Sequence, residues 1–224
     1  MIRYIAIPAA IVGFISWLFL LPVRDQQAAT NEPDPRDKKV GGRCEGCDAI
    51  YECPLPFRLL DAIDTLPDFQ SAGPRLLVTG RVVHADRQTP APGIVIYIYH
   101  TNQQGVYPNA GKRKGEGSRH GDLRGWVRTD NQGHYSFYTL KPAPYPESNN
   151  PAHIHITIKE PGLTAYWIDE FLFTGDPYLP GPDSRERTLP KGGNGIITLS
   201  GKDGMLLAKR DIVLGENIDG YPNK

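Results

Sequence analysis

The sequence predicts an all-β fold: a β-sandwich of about eight short strands, preceded by one N-terminal hydrophobic helix. Three observations predict it. From residue 74 onward the chain is built of short runs rich in Val, Ile, Tyr and Phe, which suit a pleated, half-buried surface. Turn-forming residues divide those runs, drawn from a total of 24 glycines and 21 prolines. Beyond the N-terminal segment, apolar residues keep helical spacing nowhere for long, with one short turn expected near 59–66.

The elements follow in order. Residues 4–23 contain no charged side chain, and twenty apolar residues in a helix reach the ~30 Å of a bilayer core. A signal peptide ends in a small-residue cleavage site, and the only weak match is around Gln27, Ala28 and Ala29. Residues 1–23 are therefore expected to be an uncleaved membrane anchor, with a cleaved signal peptide as the alternative. Residues 24–42, which include Asn31, Glu32, Pro33, Asp34 and Pro35, are too polar to form a core and are expected to be a tether. Residues 43–73 form a Cys-containing extension, and residues 74–224 the sandwich domain.

Cys44, Cys47 and Cys53 leave two chemistries open. A zinc site needs a fourth ligand, and no histidine or further cysteine lies at the usual spacing. A disulfide, with the third thiol free or paired between chains, suits an exported protein, and three pairings are open. Counted by the positive-inside rule, Arg3 against Arg24, Arg36, Lys38 and Lys39 would keep the domain in the cytoplasm. The cysteines favour the opposite side, and export to the periplasmic or extracellular face is the expectation. Charge is balanced at 25 basic and 25 acidic residues, leaving no positive field for nucleic acid.

Strands are expected at 76–83, 94–100, 125–129, 135–140, 153–159, 170–173, 196–200 and 205–213. Asp130, Asn131, Gln132 and Gly133 make a hairpin turn between two of them. Residues 107–123 and 178–195 are long Gly/Pro-rich loops, a length that is usually functional or disordered.

The chemistry concentrates in Pro151-Ala152-His153-Ile154-His155. Side chains alternate along a strand, so His153 and His155 share a face and their Cα atoms stand about 7 Å apart. Two imidazoles so placed converge on one metal ion. Upstream lie Tyr107, in Gly105-Val106-Tyr107-Pro108, and Tyr145, in Pro144-Tyr145-Pro146. A phenolate is a hard anionic donor and selects a hard cation. Two phenolates with two neutral imidazoles suit Fe(III), which points to oxygen chemistry. If the histidines alone ligate, zinc or copper becomes the alternative.

These motifs, with Gly80-Arg81-Val82-Val83, Leu123 to Asp130, Gly133-His134-Tyr135-Ser136-Phe137 and Pro142-Ala143-Pro144, resemble the intradiol ring-cleaving dioxygenases. That family contains the protocatechuate and catechol dioxygenases, and the likeness runs from about residue 80 to 176. The resemblance implies a β-sandwich holding one mononuclear non-haem Fe(III) through Tyr107, Tyr145, His153 and His155. It implies Tyr145 as the tyrosinate that leaves the metal, Tyr107 as the retained one, and a small catecholic aromatic with O2 as substrates. Two positions depart from the family: Asn150 stands where an arginine is usual, and Glu170 where a glutamine is usual. Asn150, Glu170, Arg124 and His120 are expected around the site or substrate pocket, and Arg113, Arg119 or Arg124 to replace the missing charge. A non-catalytic prealbumin-like sandwich explains the same strand rhythm, but neither Tyr107 nor the two histidines.

Overall fold

Alternating burial along the strands builds two facing sheets in this computed structural model, which describes residues 31–109, 111, 115–179, 181 and 189–222. The expected anchor at 1–23 lies outside the described residues. Among those that are described, no helix is long and apolar enough to cross a membrane. The strands are β1 (Ile63–Thr65), β2 (Arg75–Val83), β3 (Val95–His100), β4 (Arg124–Arg128), β5 (His134–Leu140) and β6 (His153–Lys159). They continue as β7 (Tyr166–Trp167), β8 (Phe171–Phe173), β9 (Ile196–Ile197), β10 (Ser200–Lys202), β11 (Met205–Lys209) and β12 (Ile212–Val213). One sheet has the order β1-β5-β2-β11-β10 with β12 also on β2, and the other β4-β3-β6-β8-β9 with β7 on β6.

The core lies between the sheets. Leu76, Val78 and Val82 of β2 with Tyr135 and Phe137 of β5 face Ile96 and Ile98 of β3 and Ile154, Ile156 and Ile158 of β6. Each is buried to within a few per cent. Because the period is two, burying Ile154 and Ile156 turns His153 and His155 to the opposite face of the same sheet. Register then places Tyr99 beside His155 and Tyr97 beside Thr157 on that outer face. Trp126 of β4 sits across from Tyr97.

The outer face is not left to solvent. Ala49 and Ile50, in the 3-10 helix Cys47–Glu52, form a second apolar cluster with Val95, Tyr97 and Trp126. The Trp126 indole N–H donates to the Ile50 carbonyl at 2.9 Å. The Cys-containing extension is thus packed onto the face that carries the histidines. Cys44 and Cys47 are joined in a disulfide, and Cys53 is a free, half-buried thiol.

The sandwich matches the expected fold, with three differences in detail. There are twelve described strands rather than about eight, because 196–200 and 205–213 each divide in two and β1 and β7 are added. Both additions are only two or three residues long, too short to carry a periodic signal. The turn expected near 59–66 is instead a 3-10 turn at Phe57–Leu59 followed by β1, which pairs in parallel with β5. Within the expected loop 107–123, Gly117–His120 forms a single helical turn.

Candidate metal centre

Strand β6 and two loops bring four donor atoms together. The Tyr107 loop is set by Gly105, whose backbone has φ +73°. A Cβ there would stand 2.1 Å from the Pro144 carbonyl, so only glycine lets this loop lie against the one carrying Tyr145. The Thr101 hydroxyl ties the loops together by donating to the Ala143 carbonyl at 2.6 Å. The Tyr107 and Tyr145 hydroxyls are consequently in direct hydrogen-bond contact. His155 Nε2 is 2.9 Å from the Tyr107 hydroxyl and 3.4 Å from that of Tyr145. His153 Nε2 is 3.2 Å from the Tyr145 hydroxyl and 3.1 Å from His155 Nε2.

These separations, from direct contact between the two hydroxyls up to 3.4 Å, leave the four atoms around one common point, at a spacing compatible with bonds of about 2 Å from a single metal ion to nitrogen and oxygen. The tautomers fit as well. His153 Nδ1 donates to the Pro151 carbonyl at 2.7 Å, and His155 Nδ1 faces Glu170 Oε1 at 3.6 Å. Both outer nitrogens are therefore engaged, which leaves both Nε2 lone pairs aimed at the shared point. Metal-binding histidines are usually held in this way, by a partner on the ring nitrogen that faces away from the metal. The cluster depends on its tyrosines: among the described residues no group of three or more His, Cys, Asp and Glu makes a metal site.

Burial sets the charges. It pushes both phenols up, Tyr107 further than Tyr145, so without a cation they are neutral at pH 7. Burial pulls His153 down, which keeps its imidazole neutral and able to bind a metal. Burial also pushes the Glu170 carboxyl up, but His155 and His153 outweigh this and hold it below the usual range. Glu170 is ionised, and its partner is a histidine of the cluster rather than an arginine.

The other expected residues fall as follows. Asn150 lies on an exposed turn, its backbone N–H bonded to the Ser148 hydroxyl at 3.0 Å. Arg119 is committed to Glu45 at 2.8 Å and also to Glu116. Arg124 is buried against Glu52 at 2.7 Å and stacked over Trp126 at 5.0 Å. It does not line the cavity beside the cluster but stands behind it, next to Tyr97. Its polar partners lie within the fold, not in the opening. Arg113 lies outside the described residues. His120 does line that cavity, a space of about 280 Å³ that also touches Tyr99, His155, Trp167, Glu170 and the disulfide loop at Glu45 and Gly46. The part played by the disulfide loop and by Tyr99 was missed in sequence. Tyr99 carried no local signal, because its place opposite His155 exists only once β3 pairs with β6.

The fold is thus a two-sheet sandwich with a Tyr–Tyr–His–His cluster on one outer face. A family model described as dioxygenase matches residues 61–188, more than half of the chain, and the protein belongs to that family, the intradiol dioxygenases. It is similar to catechol 1,2-dioxygenase 2 of Acinetobacter lwoffii, 28% identical over 130 residues that cover 51% of this chain and 45% of that protein. It is also similar to the protocatechuate 3,4-dioxygenase beta chain of Burkholderia cepacia, 29% identical over 113 residues and 48% of each chain. The chain thus spans about half the length of the curated relatives it matches. In fold it resembles the dioxygenase domain of a dioxygenase carbohydrate-binding protein fusion from Streptomyces sp. SirexAA-E. That likeness has a TM-score of 0.51 at 20% identity and covers 69% of this chain and 89% of that one. Catechol 1,2-dioxygenase from Acinetobacter sp. ADP1 gives the same TM-score, 0.51, over 73% of this chain and 60% of that one.

Proposed function

We propose that the protein is an Fe(III)-dependent intradiol dioxygenase that opens a catecholic ring between its two hydroxyl-bearing carbons. The observation that carries this reading is the convergence of Tyr107, Tyr145, His153 and His155, whose hard, partly anionic donor set favours ferric iron. A non-catalytic sandwich has no need of four such donors at one point. When bound, Fe(III) supplies a Lewis acid that draws electron density from a catecholate and prepares the ring carbon for attack by O2.

The residues supply the rest. Catechol must shed two protons to enter as a dianion; Tyr145, as the tyrosinate, would take one of them and a solvent hydroxide the other, leaving as water. Tyr145 suits this role because it is the less confined phenol: Tyr107 is packed against Tyr99, Tyr145 and His155, with ring centroids 5.8, 5.9 and 6.3 Å away. Tyr107 therefore stays in place. His153 and His155 remain neutral donors fixed by Pro151 and Glu170. Both atoms of O2 enter the product, a cis,cis-muconate-type diacid, so the equation balances without an added reductant.

Location is part of the proposal. The apolar run 4–23 and the Cys44–Cys47 disulfide support an anchored domain on an oxidising face of a membrane. Iron-loaded protein incubated with catechol should consume one O2 per ring and release the diacid. Extradiol products, or no O2 uptake by protein carrying full iron, would reject the assignment.

A further inference from the structure

Resting on that reading, we infer that His120 determines substrate specificity: its Nε2–H is the hydrogen-bond donor that recognises a neutral oxygen substituent on the far side of the catechol ring. Tyr97 and Arg124 fix the tautomer that makes it a donor.

The placement comes from an aromatic stack. The Tyr99 ring lies between two imidazoles, with His155 at 4.4 Å on one side and His120 at 3.6 Å and nearly parallel on the other. The same cavity touches His155, Tyr99 and His120. A catechol held at the four donors and extending into that cavity brings its far edge toward His120. Gly46 of the disulfide loop lies directly against the His120 ring, at one wall of that cavity. A Cβ at position 46 would stand 2.6 Å from His120 Nε2, so any side chain there would fill the space in front of it.

The tautomer follows from a buried chain of hydrogen bonds. Arg124, paired with Glu52, stands beside the Tyr97 hydroxyl and, carrying only N–H groups, can offer that oxygen donors alone. That oxygen lies 2.9 Å from His120 Nδ1. Tyr97 is fully buried, and an O–H left there without an acceptor would be costly. Its proton therefore goes to Nδ1, and the imidazole proton must sit on Nε2. Burial, the largest influence, with the nearby Arg124 charge in the same direction, lowers His120 to about 4, so the ring is neutral and carries a single N–H.

Charge sets the ligand class. The described lining includes neither lysine nor arginine and two carboxylates, Glu170 and a Glu45 whose charge is answered by Arg119 from outside the lining, so the negative charge facing the cavity is that of Glu170. A ring carboxylate meets repulsion there, whereas a hydroxyl or methoxy oxygen offers an acceptor without charge. Specificity is consequently directed to catechols bearing such a group and against those bearing a carboxylate.

The test is anaerobic titration of the iron-loaded protein, following the tyrosinate-to-iron absorption, with 4-methoxycatechol, 4-methylcatechol and 3,4-dihydroxybenzoate. One neutral hydrogen bond supports a preference of about fivefold for methoxy over methyl, and the carboxylate should bind weakest. In His120→Phe, which keeps a ring against Tyr99, the ratio should fall to about one. Tyr97→Phe, which removes only the hydroxyl, should lower it part of the way. Equal ratios in wild type and His120→Phe, or tightest binding of the carboxylate, would overturn the inference while leaving the proposed activity intact. No spectral change with any catechol would instead count against the proposed function itself.

Discussion

Replacing Glu52 by Gln should cost the protein about 3 kcal/mol of stability, because it strands a buried cation. Arg124 has a side chain only 4% exposed, and its charge is answered by Glu52 Oε2 at 2.7 Å. Arg124 Nε has no acceptor at all, and the Trp126 face at 5.0 Å and the Tyr97 hydroxyl do not neutralise it. Breaking a buried pair by removing one partner commonly costs 3–5 kcal/mol. Glu52 is 29% exposed, so water can reach the vacated side and the lower end applies. With a urea slope of about 2 kcal/mol per molar, the midpoint should fall by about 1.5 M. Removing both charges, as Glu52→Gln with Arg124→Met, should recover most of that loss, since an uncharged pair owes no desolvation. The cycle is read by urea unfolding of wild type, both single variants and the double variant. A loss under about 1 kcal/mol for Glu52→Gln, or additive effects in the double variant, would refute the reasoning that Glu52 is what compensates the buried Arg124 charge.

Two further outcomes follow from the site. With an exposed Asn150 and an ionised Glu170 on His155, an electrostatic term of the kind worth ~10²–10³-fold in rate is absent; Asn150→Arg combined with Glu170→Gln should raise kcat on catechol, and an unchanged kcat would show that charge is balanced elsewhere. His120 is held near 4 in the fold against an ordinary 6.5, so the unfolded chain takes up its proton first as pH falls. Its contribution to stability is complete above 6.5, declines toward about 4 and amounts to at most about 3 kcal/mol; metal-free His120→Phe should therefore lose less stability than wild type between pH 7 and 4.5, and parallel curves would contradict this.

Much of the molecule was legible in the sequence because its signals are periodic and local. The alternation of His153, Ile154, His155 and Ile156 gives both the strand and the face on which the histidines stand, and burial of the isoleucines enforces it. The hairpin turn at Asp130 to Gly133 is written in its residue types: the Asp130 carboxylate takes the Gln132 and His134 backbone N–H groups at 2.8 Å each. What escaped is long-range. Nothing local in Cys47–Glu52 announces that Ile50 will cap Trp126 or that Gly46 will front His120. Arg124 was readable as a loop-end cation near the site, but its partner Glu52 is 72 residues away in sequence. The Glu170–His155 pairing likewise needs the β6–β8 register, which no single strand carries.

The central claim is that Tyr107, Tyr145, His153 and His155 together hold one ferric ion, and the most direct measurement is iron content alongside visible absorption for the wild type and His155→Ala. The wild-type protein should carry about one iron per chain and a red-brown tyrosinate-to-iron band, and His155→Ala should lose both. Full iron and an unchanged band in His155→Ala would contradict the assignment, because a donor within 3.4 Å of each of the other three would then play no part in holding the metal.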